Sequence, residues 1–186
     1  MMNLKNKLAR AAGMAGAAVA IGALSLMGVA SASAAEPVAQ TLAAPNVCAL
    51  GTADGHFLTA VGGGGRTTDV LHTNASRVGA WEKFTLIDSG DSIHFGLRTS
   101  QGYFLTAVDG GGRTTDVIHS NATNLLGWEQ FTFSSVAGGG INPGVIRTID
   151  GHLLTAQDSG GRTTDVIHSN ATRIGSWEKF NFMCGL

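Results

Sequence analysis

The phrase GGRTTDVIHSNAT stands word for word at 111–123 and again at 160–172, and a near copy, GGRTTDVLHTNAS, stands at 64–76. An internal repeat constrains a fold more than any local propensity does, because each copy must become the same supersecondary unit. Other segments keep the same offsets. GHFLTAV (55–61), GYFLTAV (102–108) and GHLLTAQ (151–157) align, as do WEKFTL (81–86), WEQFTF (128–133) and WEKFNF (177–182). The chain therefore divides into three units, at about 47–91, 92–139 and 140–186.

Each unit reads as four short strands punctuated by Gly, Asp and Ser turns. The first strands are CALGT (48–52), HFGLRT (94–99) and VIRT (145–148), followed by the FLTAV-type, DVLHTN-type and WEKFTLI-type segments. No sustained 3.6-residue apolar period occurs after the N-terminal leader, so the expected class is all-β with twelve strands. A propeller typically needs at least four blades. Three units of four strands suit a β-trefoil, with six strands in a closed barrel and six in a hairpin cap. Leu58, Leu105 and Leu154, Phe84, Phe131 and Phe180, Val70, Val117 and Val166, and Leu71, Ile118 and Ile167 are the expected core. Trp81, Trp128 and Trp177 are expected to close the barrel bottom, with a platform for a sugar ring as the alternative. Glu82, Glu129 and Glu178 are expected to face solvent or hold a turn.

Gly–aromatic–Leu-Thr-Ala in GYFLTA, with its relative GHFLTA and a Trp-x-x-Phe strand closing each unit, resembles the fascin-like (actin-crosslinking-like) branch of β-trefoils over the whole of 47–186. The order of elements is also similar to mytilectin-type galactose-binding trefoils, in which a Gly-Gly turn precedes a His-bearing strand. That resemblance aligns with Gly63-Gly64 and VLHTNAS (70–76), then with VIHSNAT at 117–123 and 166–172. This chain departs from the pattern in having Asn74, Asn121 and Asn170 where those trefoils use an acid, and Ser76, Thr123 and Thr172 where they use a second His. The QxW signature of ricin-B-type lectins is absent.

The N-terminal segment 1–35 reads as a secretory signal. Lys5, Lys7 and Arg10 precede an Ala-, Leu- and Met-rich stretch, and the small residues of SASAA follow. Residues 36–46 read as a flexible lead-in to the domain at 47–186. Beyond the signal, nine Lys and Arg face thirteen Asp and Glu with no basic run, which argues against nucleic acid as a partner. No further stretch approaches the about 20 apolar residues of a membrane span. The two cysteines, Cys48 and Cys184, open and close the domain, and in an exported chain an even pair suggests a disulfide.

What core packing does not explain is a polar set repeated three times: Arg66, Asp69, His72 and Asn74; Arg113, Asp116, His119 and Asn121; Arg162, Asp165, His168 and Asn170. Two readings stand. In one, Arg, Asp and Thr stiffen the loop through local hydrogen bonds. In the other, the set binds sugar hydroxyls, since Arg and Asp make charge-assisted bonds and His and Asn both donate and accept. The expected function is a secreted, non-enzymatic carbohydrate-binding module with up to three equivalent sites, for a glycan or polysaccharide partner. The alternative is a protein-binding trefoil, an inhibitor or adaptor, working through the unrepeated segment 135–144. No GxSxG, HExxH or phosphate-loop pattern is present, and no cofactor or metal is expected.

Overall fold

The computed structural model describes residues 46–136 and 142–186. The signal (1–35) and nearly all of the lead-in (36–46) lie outside the described residues, as does the centre of segment 135–144. Twelve strands occur among the described residues: β1 Asn46–Gly51, β2 Phe57–Ala60, β3 Leu71–Ala75, β4 Lys83–Asp88, β5 His94–Arg98, β6 Phe104–Ala107, β7 Ile118–Ala122, β8 Gln130–Ser135, β9 Gly144–Thr148, β10 Leu153–Ala156, β11 Ile167–Ala171 and β12 Asn181–Cys184. Antiparallel pairing runs β12–β1–β4–β5–β8–β9. A bridge between Gly144 and Phe180 brings β9 to the start of β12 and closes the ring. The remaining strands form three hairpins, β2–β3, β6–β7 and β10–β11. Six barrel strands and three hairpins make a β-trefoil.

The repeated apolar triplets fill one core. Phe84, Phe131 and Phe180 are at most 1% exposed, and Leu58, Leu105 and Leu154 lie with them. Val70, Val117, Val166, Leu71, Ile118 and Ile167 are buried at the hairpin end. Three copies of one side chain around an axis can stack as a layer, which close packing favours. Cys48 and Cys184 are opposite residues of β1 and β12 and form the disulfide, so the bond ties the first strand to the last.

The tryptophans differ from the core expectation. Trp81, Trp128 and Trp177 are 48%, 50% and 39% exposed. Each tryptophan stands in a turn just before its barrel strand, Trp128 within the 3₁₀ turn Gly127–Glu129, and there it is the adjacent glutamate, Glu82, Glu129 or Glu178, that is buried while the indole is left outside.

The glutamates do hold turns, from buried positions. Thr59 Oγ1 donates to Glu82 Oε1 at 2.8 Å and the Gly79 N–H donates to Oε2 at 2.7 Å. Glu129 accepts from Thr106 Oγ1 at 2.7 Å and from the Leu126 N–H at 3.0 Å. Glu178 accepts from Thr155 Oγ1 and the Gly175 N–H. Each carboxylate thus fastens a hairpin strand to the turn leading back into the barrel. Glu129→Ala strands the buried Thr106 hydroxyl and frees the part-buried Leu126 N–H, and hydrogen bonds to charged groups are worth about 1.5–3 kcal/mol each. Urea unfolding of Glu129→Ala should show a loss of about 2–3 kcal/mol, with Glu129→Gln losing less.

Candidate functional site

The repeated phrase begins with backbone work. In each unit the second strand ends in a short 3₁₀ turn, at Val61–Gly63, Val108–Gly110 and Gln157–Ser159. The next residue is Gly64, Gly111 or Gly160, with φ of 108°, 114° and 117° and ψ between −160° and −167°. That region is open essentially only to glycine. The following Gly-Arg pair docks on the third strand of another unit. Gly65 N–H donates to Ser120 O at 2.7 Å, and Ser120 N–H returns a bond to Arg66 O at 2.8 Å. Gly112 and Arg113 pair in the same way with Ser169, and Gly161 and Arg162 with Thr73. The three units therefore grip one another in a closed cycle, first to second, second to third, third to first. Half of the phrase is explained by this lock.

The other half is a side-chain cluster. His72 Nε2 lies 2.7 Å from Asp69 Oδ1, and the Arg66 guanidinium lies 3.3 Å from Asp69 Oδ2. His119 with Asp116 and His168 with Asp165 repeat the 2.7 Å contact. Arg113 and Arg162 stand 3.7 and 3.6 Å from Asp116 and Asp165. Each Arg Nε also donates to a carbonyl of its own loop, that of Thr68, Thr115 or Thr164. The aspartates adopt left-handed backbone, with φ of 48°, 50° and 50°. Non-glycine residues reach that region at a cost, and Asp tolerates it better than most.

The structure thus brings Arg, Asp and His of each unit together. It does not bring in Asn74, Asn121 or Asn170, which are exposed and make no side-chain hydrogen bond to the cluster. An extra residue in β3, β7 and β11 breaks the pairing register after His72, His119 and His168, which interrupts simple strand alternation between His and Asn. The aspartate carboxylates are about half exposed, between 51% and 54%. A carboxylate has room for about four hydrogen bonds; His72 and Arg66 occupy two at Asp69, and at Asp116 and Asp165 the histidine occupies one, the arginine standing beyond hydrogen-bond distance. The remaining acceptor capacity faces water.

Sequence reasoning missed one feature. The segments Thr67–Leu71, Thr114–Ile118 and Thr163–Ile167 of all three units line a single open depression of about 610 Å³. The signal was present in the RTTDV repeat, but only the closed cycle of the units shows that the three copies share one hollow. Among the described residues, no group of three or more His, Cys, Asp or Glu is placed to hold a metal ion, and no helix is long and apolar enough to cross a membrane.

This architecture defines the class of protein, a β-trefoil, and similarity to solved structures agrees. The designed threefold-symmetric protein ThreeFoil superposes with a TM-score of 0.61 at 13% identity, over 74% of this chain and 97% of its own. The BEL β-trefoil superposes at 0.59 with 12% identity, over 74% of this chain and 92% of its own. SeviL, solved bound to asialo-GM1 saccharide, superposes at 0.56 with 8% identity, over 77% of this chain and all of its own. No protein-family model matches the chain, and no curated protein matches it in sequence.

Proposed function

We propose that the protein is a secreted, non-enzymatic lectin-like module whose three Arg–Asp–His clusters each receive hydroxyls of a glycan. The observation that carries this reading is the half-exposed aspartate, held three times over in left-handed backbone and oriented by a histidine and an arginine. Strained, oriented polar groups of this kind gather at ligand sites. The half-exposed tryptophans, one in each unit, add apolar faces of the kind on which the C–H side of a sugar ring packs. SeviL, which shares the fold, was solved with a saccharide bound. In motif, GHFLTA and GYFLTA resemble the fascin-like branch of trefoils. Export is supported by the disulfide, since such bonds persist in oxidising compartments. One cluster alone binds weakly, and three on a rigid body gain by avidity on a polysaccharide or cell surface.

A glycan array followed by calorimetry on residues 36–186 tests the reading. Binding to at least one glycan is expected, with loss of that binding in the triple variant Asp69→Asn/Asp116→Asn/Asp165→Asn. An array with no bound glycan, or binding untouched by the triple substitution, refutes it.

A further inference from the structure

The three clusters are not chemically equal. In the second and third units the 3₁₀ turn carries Asp109 and Asp158, and their Oδ2 atoms accept hydrogen bonds from Nη1 of Arg113 and Arg162. Each of those guanidinium groups therefore sits between two carboxylates, Asp109 with Asp116 and Asp158 with Asp165. The first unit has Gly62 at the matching position. The backbone there is the same: φ and ψ are 66° and 10° at Gly62, 54° and 24° at Asp109, and 52° and 30° at Asp158. Only the carboxylate is missing.

Arg66 consequently keeps unused donors. Its Nε bonds the carbonyls of Thr68 and Asp69, and Nη2 faces Asp69 Oδ2. Among the described residues nothing accepts from Nη1. The Arg66 side chain is 40% exposed, against 32% for Arg113 and Arg162. The space beside it is open, for a Cβ built on Gly62 meets no atom within 4 Å. The charge balance differs as well. Arg66 and Asp69 cancel, whereas each of the other clusters carries one surplus negative charge that repels an anion. A guanidinium with a free edge binds carboxylate or sulfate by charge-assisted hydrogen bonds.

We infer that the first unit's cluster accepts an oxyanion, a carboxylate or sulfate group borne by a hydroxyl-rich ligand, and that the second and third clusters receive uncharged hydroxyls alone. The saccharide part of this inference rests on the function proposed above, and the anion part rests on Arg66.

The test is an NMR titration of the ¹⁵N-labelled chain, following the Nε–H signals of Arg66, Arg113 and Arg162. The probes are galactose, galacturonate, galactose 6-sulfate and inorganic sulfate. The acidic sugars are expected to move Arg66 alone, and to bind that cluster about tenfold more tightly than galactose. The stronger of the two identifies the anion. Gly62→Asp, whose backbone is already that of its two counterparts, should abolish the preference and leave galactose binding in place. Asp109→Gly should create a second acid-accepting cluster at Arg113. Equal shifts at all three arginines, or a preference that survives Gly62→Asp, overturns the inference. Galactose binding with no response to any anion also overturns it and leaves the lectin reading intact. A response to sulfate at Arg66 with no saccharide bound upholds the anion site and refutes the lectin reading.

Discussion

Replacing Gly160 by alanine is expected to destabilise the protein by about 3–5 kcal/mol, from positive-φ strain and overpacking together. The residue sits at φ 117°, ψ −163°. A Cβ placed there lies 2.4 Å from Thr52 Oγ1 and 3.0 Å from Thr52 Cβ. Thr52 is fully buried at the end of the first strand, so it has nowhere to retreat. Gly64 against Thr99 and Gly111 against Thr148 repeat the arrangement, at 2.6 and 2.5 Å. The three contacts belong to the same cycle as the Gly-Arg docking, and each presses one unit against another. Urea unfolding of Gly64→Ala, Gly111→Ala and Gly160→Ala should give three similar losses. Gly55→Ala is the control, because a Cβ there meets nothing within 4 Å. It retains the cost of φ 81° and lacks the clash. Equal losses at Gly55 and Gly160 would show that backbone strain alone matters and that the units are not locked at these glycines.

The disulfide should matter as much. Cys48 and Cys184 are 136 residues apart, and closing so long a loop in the unfolded chain is worth at most about 5 kcal/mol in the chain-entropy description. The position adds to this. β12 pairs along its length with β1, and its approach to β9 is a single bridge at Gly144 and Phe180. Without the cross-link, the last strand depends on those bonds, on the pair between the Asn142 side chain and the Phe182 backbone, and on the burial of Phe180 and Phe182. Cys48→Ala/Cys184→Ser is expected to lower the unfolding free energy by roughly 3–5 kcal/mol and to speed amide exchange first in β12. An unchanged unfolding midpoint in the double variant would contradict this.

What the residues disclose before folding divides by distance along the chain. The barrel core was legible because Leu58, Phe84 and their counterparts recur at fixed offsets inside short strand segments, where one face of each strand must turn to the shared interior. The disulfide was legible because two cysteines bracket the repeats. The tryptophans do not close the barrel, and the sequence hides the reason: they fall in turns just before the barrel strands, where no strand alternation relates them to Phe84 and its counterparts. The inter-unit lock was not legible, because Gly65 with Ser120 and Gly160 with Thr52 are paired by register rather than by any local pattern. Within the repeated phrase the packing part is larger than Val-Ile. It includes the glycines and the arginine backbone. The local Arg–Asp–His bonds reduce the unexplained remainder to the exposed carboxylate edges and, at Arg66, one free guanidinium edge.

Loop folding and ligand binding are separated by one pair of readings on the triple variant Asp69→Asn/Asp116→Asn/Asp165→Asn. Asn tolerates left-handed backbone as Asp does, and exposed ion pairs contribute only about 0–1 kcal/mol each, so folding should survive the change. Calorimetric unfolding and glycan titration on the same sample decide the matter. A melting temperature within a few degrees of the parent and no measurable glycan binding are expected. A steep fall in melting temperature with glycan binding retained would show that the aspartates serve the loops and that the ligand is held elsewhere.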